Sequence, residues 1–144
     1  MQWSRVIVRL FLIAVAAAPS ALWFPVSGLR YGKQDKAVTT GTWGGEHVIL
    51  EVSEKGADVE FDCARGQISQ PIALNQRGDF DVLGTYSPEH GGPVRRDEPV
   101  TSTPARYSGH VLGDTMTVTV TQGKEKVGTF TLTRGARPVL RKCR

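Results

Sequence analysis

An all-β fold is predicted: a small up-and-down antiparallel meander of seven to eight strands, closed or nearly closed into a lipocalin-like barrel, with a β-sandwich as the alternative. Three observations predict it. From Thr40 onward apolar and polar residues alternate with a period of two, as on a sheet with one buried and one wet face. The alternating runs are separated by short connections rich in Gly, Asn and Asp, which join antiparallel neighbours. No stretch beyond residue 28 places apolar residues at helical spacing.

The first strand, near 46–53, sets Val48, Leu50 and Val52 against His47, Ile49 and Glu51. After a turn at Glu54, Lys55 and Gly56, the second (57–63) alternates Ala57, Val59, Phe61 and Cys63 with Asp58, Glu60 and Asp62. A third is placed at 67–74 beyond a turn on Arg65 and Gly66, although Pro71 interrupts it and supplies no ladder donor. Asn75, Gln76, Arg77 and Gly78 turn the chain into a fourth strand (79–86), with Phe80 and Val82 on one face and Asp79 and Asp81 on the other. The fifth (104–112) repeats the pattern in Tyr107, Gly109 and Val111, and Gly113 and Asp114 lead into the sixth (115–121). There Met116, Val118 and Val120 oppose Thr115, Thr117, Thr119 and Thr121. The seventh (127–134) carries Phe130 and Leu132 inside and Thr129, Thr131 and Thr133 outside. An eighth is expected from residues 138–142 or from the segment before Trp43.

A meander apolar on one face must bury that face, and closing on itself also removes exposed edges. Eight strands give an interior that side chains just fill, so a packed core is expected rather than a ligand cavity. Any ligand inside would be lined by Trp43, Phe61, Phe80, Tyr107, Met116 and Phe130. The inward set holds no charged group and no histidine, so no acid, base or metal ligand is expected there.

The chain has 144 residues, enough for one domain, and its 2 cysteines, 16 glycines and 8 prolines exclude collagen and coiled coil. Residues 1–28 carry Arg5 and Arg9, an apolar run from Leu10 to Ala18, and then Pro19 and Pro25. That order describes a secretory signal cleaved after Gly28. The alternative is a retained anchor over Leu10–Val26, at the lower limit of a membrane span. Residues 29–40 are then a linker and 41–144 the single domain, exported to the periplasm or the exterior, with no stable membrane span once the signal is removed. Removing the signal also lowers the net charge from +4 to +2, so part of the basicity belongs to targeting.

In an oxidising compartment two cysteines read as one disulfide, Cys63 to Cys143. Such a bond brings the C-terminal tail back to the end of the strand that carries Cys63. The tail is basic, with Arg134, Arg137, Arg141, Lys142 and Arg144, yet no aromatic platform is interleaved with it, and no nucleic-acid partner is expected.

Gly41, Thr42 and Trp43 resemble the G-x-W that opens lipocalin-type barrels, where the tryptophan plugs the closed end. The wider pattern of GTWGGEHVILEV, ADVEFDCARGQI, EHGGPVR, ARYSGHVLGDTMTVTV and VGTFTLTRG is similar to a group of uncharacterised exported bacterial proteins and spans most of the chain after residue 40. The resemblance implies a small secreted all-β domain and brings no activity with it.

Motifs for chemistry are missing: there is no G-x-S-x-G, C-x-x-C, H-E-x-x-H, phosphate-binding glycine loop or dinucleotide fingerprint. His47, His90 and His110 lie on three segments at spacings of no metal site, and neither a metal nor a cofactor is expected. Asp58, Glu60 and Asp62 form an outward carboxylate row, expected to pair with basic residues on the next strand. The threonine rows follow from β propensity. One connection is long, Ser87–Thr103, with Glu89, His90, Arg95 and Arg96 as its candidate partner-binding residues and Pro88, Pro93 and Pro99 restricting its backbone. The expected function is therefore a non-enzymatic binding or interaction module that presents this loop to a protein or glycan. The alternatives are a lipocalin-type carrier of a small apolar ligand or, as a form of the first, a secreted hydrolase inhibitor.

Overall fold

A computed structural model describes residues 36–93 and 101–143, so the expected signal, and Arg95 and Arg96 of the long loop, lie outside the described residues. Ten strands follow in order: β1 (Lys36–Ala37), β2 (Gly41–Gly45), β3 (Val48–Ser53), β4 (Gly56–Phe61), β5 (Ala64–Ile68), β6 (Ala73–Leu74), β7 (Asp79–Pro88), β8 (Thr103–Leu112), β9 (Thr115–Gln122) and β10 (Glu125–Arg134). Eight of them, β2-β3-β4-β5-β7-β8-β9-β10, form a closed antiparallel barrel, and β1 pairs with β6 in a separate two-stranded ladder. The barrel closes where Leu132, Thr133 and Arg134 of β10 pair with Gly45, Gly44 and Trp43 of β2. No described helix is long and apolar enough to cross a membrane.

The period of two is what folds the sheet inward. On β4, Ala57, Val59 and Phe61 are buried while Asp58 and Glu60 are exposed, and β3 buries Val48, Leu50 and Val52. Met116, Val118 and Val120 of β9 and Leu132 of β10 complete the same core. The turn at Gly113 and Asp114 needs a positive φ at its first residue, +60° at Gly113, which glycine adopts without strain. Trp43, Tyr107, Met116, Leu132, Val48 and Val120 are the largest side chains buried completely. Together they leave a residual space of about 10 Å³, bordered by Val59, Phe61, Ile68, Phe80 and Tyr107. That is about the room one water needs.

The first and second expected strands and the fourth to seventh appear within a few residues of their expected limits. The third does not. The second hairpin turns at Asp62 and Cys63, before Arg65 and Gly66, so the strand begins at Ala64 and ends at Ile68. Gly66 is a glycine for packing: a Cβ there would lie 2.1 Å from the Tyr107 hydroxyl. Past Pro71 the chain leaves the barrel, and only Ala73 and Leu74 form a ladder, with β1. The stretch expected as a linker is thus structured from Lys36, and Val38 is buried in the core beside Ile72 and Leu74. The Val38 amide donates to the Ile72 carbonyl, and the Trp43 indole N–H donates to that of Thr39.

The eighth strand, expected from residues 138–142 or from the segment before Trp43, is β2 (Gly41–Gly45), which runs through Trp43 instead of ending before it. Residues 138–142 enter the sheet only through a parallel bridge between Glu46 and Val139.

Candidate functional site

Up-and-down connectivity sorts the connections onto two ends of the barrel. One end carries the β3–β4 and β8–β9 turns and the β1–β6 ladder. The other, the loop rim, carries the turns at Glu46–His47, Asp62–Cys63 and Gly123–Lys124 and the long β7–β8 connection. Beyond Arg134 the chain returns to this rim along β2 as a strap. The Gly135 amide donates to the Thr42 carbonyl, Val139 N donates to Gly45 O, and His47 N donates to Val139 O. Gly44 makes the path possible, because a Cβ there would lie 2.2 Å from the Ala136 carbonyl oxygen. The strap ends in the Cys63–Cys143 disulfide, with Cα atoms 5.3 Å apart and a sequence separation of 80.

His47 occupies the two-residue turn between β2 and β3. It is the one described non-glycine residue with a positive φ, +67°, a conformation that costs energy unless its surroundings impose it. Here the strap bonds its amide, and its Nδ1 lies 2.5 Å from Oδ2 of Asp62. The second Asp62 oxygen accepts the Arg141 amide at 2.7 Å. That amide first, and His47 next, hold the Asp62 carboxyl below its ordinary range. The imidazole is half-exposed, with Nε2 3.4 Å from Glu46.

Glu89 ties the long loop to the same cluster. Its amide donates to the Cys63 carbonyl at 2.8 Å, and its carboxylate pairs with Arg65. Lys142, next to the bonded cysteine, places Nζ 2.5 Å from Glu60, 3.9 Å from Glu89 and 3.2 Å from the Phe61 carbonyl. His90 is exposed and its Nδ1 is 3.2 Å from the Gly91 carbonyl oxygen. Across the loop, the Thr103 hydroxyl donates to the Tyr86 carbonyl, and Gln122 donates to that hydroxyl. Below, Phe61 lies 5.4 Å from Tyr86 and 5.3 Å from Phe130 between ring centroids, all tilted, and burial pushes the Tyr86 phenol up.

Of the expected lining residues, Trp43, Phe61, Phe80, Tyr107 and Met116 are buried in the filled interior, whereas Phe130 is partly buried. The carboxylate row divides: Asp58 and Glu60 face outward beside a shallow groove of about 390 Å³ with Glu51 and Arg65, while Asp62 turns to the rim. A second groove, about 580 Å³, runs past Leu74, Asn75, Arg77, Asp79 and Asp81. There His110 meets Asp79 at 2.8 Å and Arg106 pairs with Asp81, and each partner holds its carboxyl below the ordinary range. No three His, Cys, Asp or Glu side chains among the described residues gather to hold a metal.

Sequence reasoning treats His47 as a surface histidine and Lys142 as part of a basic tail, and misses their convergence. The signal was present in the disulfide: tying Cys143 to Cys63 necessarily brings Lys142 and Arg141 beside Glu60 and Asp62. No protein family, curated protein or solved structure matches the chain.

Proposed function

We propose that this chain is a non-enzymatic binding module of an exported compartment, and that it presents the β7–β8 loop, shorter than expected at 89–102 because Ser87, Pro88 and Thr103 belong to the strands, from the loop rim to a protein or glycan partner. The filled interior carries the reading. A carrier of small apolar molecules needs a cavity of about 300 Å³ or more, and the space inside this barrel is about 10 Å³. Among the described residues no charged side chain is buried in the interior for acid–base chemistry, which supports a role at the surface. The disulfide supports an oxidising compartment. The loop is the longest connection in the barrel, and anchored ends with restricting prolines lower the entropy lost on docking.

The test is replacement of Gly91–Glu98 by a few Gly and Ser residues, which leaves Glu89 and its anchors in place. Capture from an envelope extract by the native chain, and loss of capture by the shortened chain with an unchanged far-UV spectrum, is the expected result. Capture retained by the shortened chain would overturn the assignment of the loop. Stoichiometric uptake of an apolar fluorescent dye by both chains would favour the carrier instead.

A further inference from the structure

We propose that the Cys63–Cys143 disulfide is a clasp sensitive to reduction: an external dithiol opens it, frees the strap and loosens the base of the long loop while the barrel stays closed. The proposal rests on the loop reading for its biological meaning, though not for its test.

Two properties of the rim lead to it. First, strap and loop share their anchors. Cys63 is bonded to Cys143 through its side chain and holds the Glu89 amide through its carbonyl. Lys142, one residue before Cys143, is the cation between Glu60 and Glu89. Freed from the bond, the last residues lose the tether that keeps Lys142 in place, and Glu89 keeps only Arg65 and the Cys63 carbonyl. Second, strap and barrel are separable. Among the described residues no buried core residue lies beyond Leu132, Val139 is 56% exposed, and the β10–β2 pairing that closes the barrel is made before the strap begins.

The bond is also reachable. Cys143 is exposed and Cys63 partly so. A thiolate of the dithiol attacks Sγ of Cys143, forms a mixed disulfide and expels Cys63 as its thiolate. The second thiolate of the reagent then attacks its own sulfur in that mixed disulfide and releases Cys143. The reagent leaves as a disulfide, two electrons have passed to the protein, and the two protons of the dithiol end on the two cysteines.

Hydrogen exchange read by mass spectrometry, with labelling over seconds to minutes, tests this on the oxidised protein, the protein reduced by dithiothreitol, and Lys142→Gln with its disulfide intact. Reduction should raise exchange about tenfold or more at the Glu89 amide and at the strap amides of Val139 and Arg141, which are bonded to Cys63, Gly45 and Asp62, as local opening does. Over the same minutes β3, β4, β8 and β9 should stay protected. Lys142→Gln should accelerate the Glu89 amide by a smaller factor and leave the strap protected. If reduction exposes the barrel strands together with the loop, the bond is a staple of the whole fold and the proposal fails. If the loop base exchanges at the same rate in the oxidised and reduced protein, or in Lys142→Gln and the native chain, the coupling between strap and loop is refuted. No partner enters these measurements, so their failure leaves the loop reading to the capture experiment.

Discussion

Tyr107 and Gly66 offer a direct test of how the barrel is filled. The Tyr107 hydroxyl donates to the Thr85 carbonyl at 2.7 Å, and the side chain is buried completely. A methyl group on residue 66 would lie 2.1 Å from that hydroxyl, 2.7 Å from the Thr85 oxygen and 3.2 Å from the ring carbon that carries the hydroxyl. It therefore collides with both members of the hydrogen bond. Gly66→Ala should cost about 1–3 kcal/mol for overpacking and about 1 kcal/mol more for the weakened bond. Tyr107→Phe alone should cost about 1–2 kcal/mol, because the Thr85 carbonyl loses this donor. In the double variant the closest clash is gone, since phenylalanine lacks the offending oxygen. Gly66→Ala should then cost about 1–2 kcal/mol less than in the native background, the pairwise term of a double-mutant cycle. Urea unfolding followed by far-UV circular dichroism gives the four stabilities. Additivity within about 0.5 kcal/mol would refute the reasoning, because it would mean that the hydroxyl does not occupy the space above Gly66.

Three further outcomes follow from the same geometry. Asp62, Asp79 and Asp81 are all held below the ordinary value of 3.8 by their partners, so the stability they contribute is complete above that value and is lost as pH falls from it through the lowered values of the folded state. The melting temperature should therefore drop below about pH 4, and less steeply in the triple Asp→Asn variant; parallel curves would contradict this. Met116→Ala removes a completely buried side chain and should cost about 2–5 kcal/mol, read by the same urea assay, with a cost under 1 kcal/mol counting against the filled interior. Replacing both cysteines by serine releases the 80-residue loop, and chain entropy sets the loss at up to about 4–5 kcal/mol, measurable as a lower urea midpoint without loss of the β spectrum at 20 °C.

Much of the barrel can be read in the sequence because burial on one face of a strand imposes a period of two that no turn chemistry disguises. Val48, Val59, Phe80, Val118 and Leu132 all lie where that period puts them. What escaped it has physical causes. Gly66 looks like a turn residue, since a sequence cannot distinguish a glycine that bends the chain from one that clears space for a distant tyrosine. Lys36, Ala37 and Val38 form too short a run to show any period, yet Val38 joins the core. The rim cluster escaped for a third reason. His47, Asp62, Glu89 and Lys142 stand on four separate segments, and the pairing of β3 with β4 and of β5 with β7, together with the return of the strap, brings them within reach of one another. The long loop was legible as an exception to the short connections, whereas the anchoring of its base through Glu89 was not.

The disulfide also determines how this molecule would bear a load. The bond bypasses everything between Cys63 and Cys143. Tension applied between Lys36 and Cys143 would run along β1 to β4 and then cross the sulfurs, leaving β5 to β10 outside the line of force. With the bond intact, extension stops after about 27 residues, ~90 Å of extended chain; with it cut, about 107 residues come under tension, ~350 Å. The bond thus converts most of the barrel from a spring into cargo, and a single thiol exchange reverses that mechanical role.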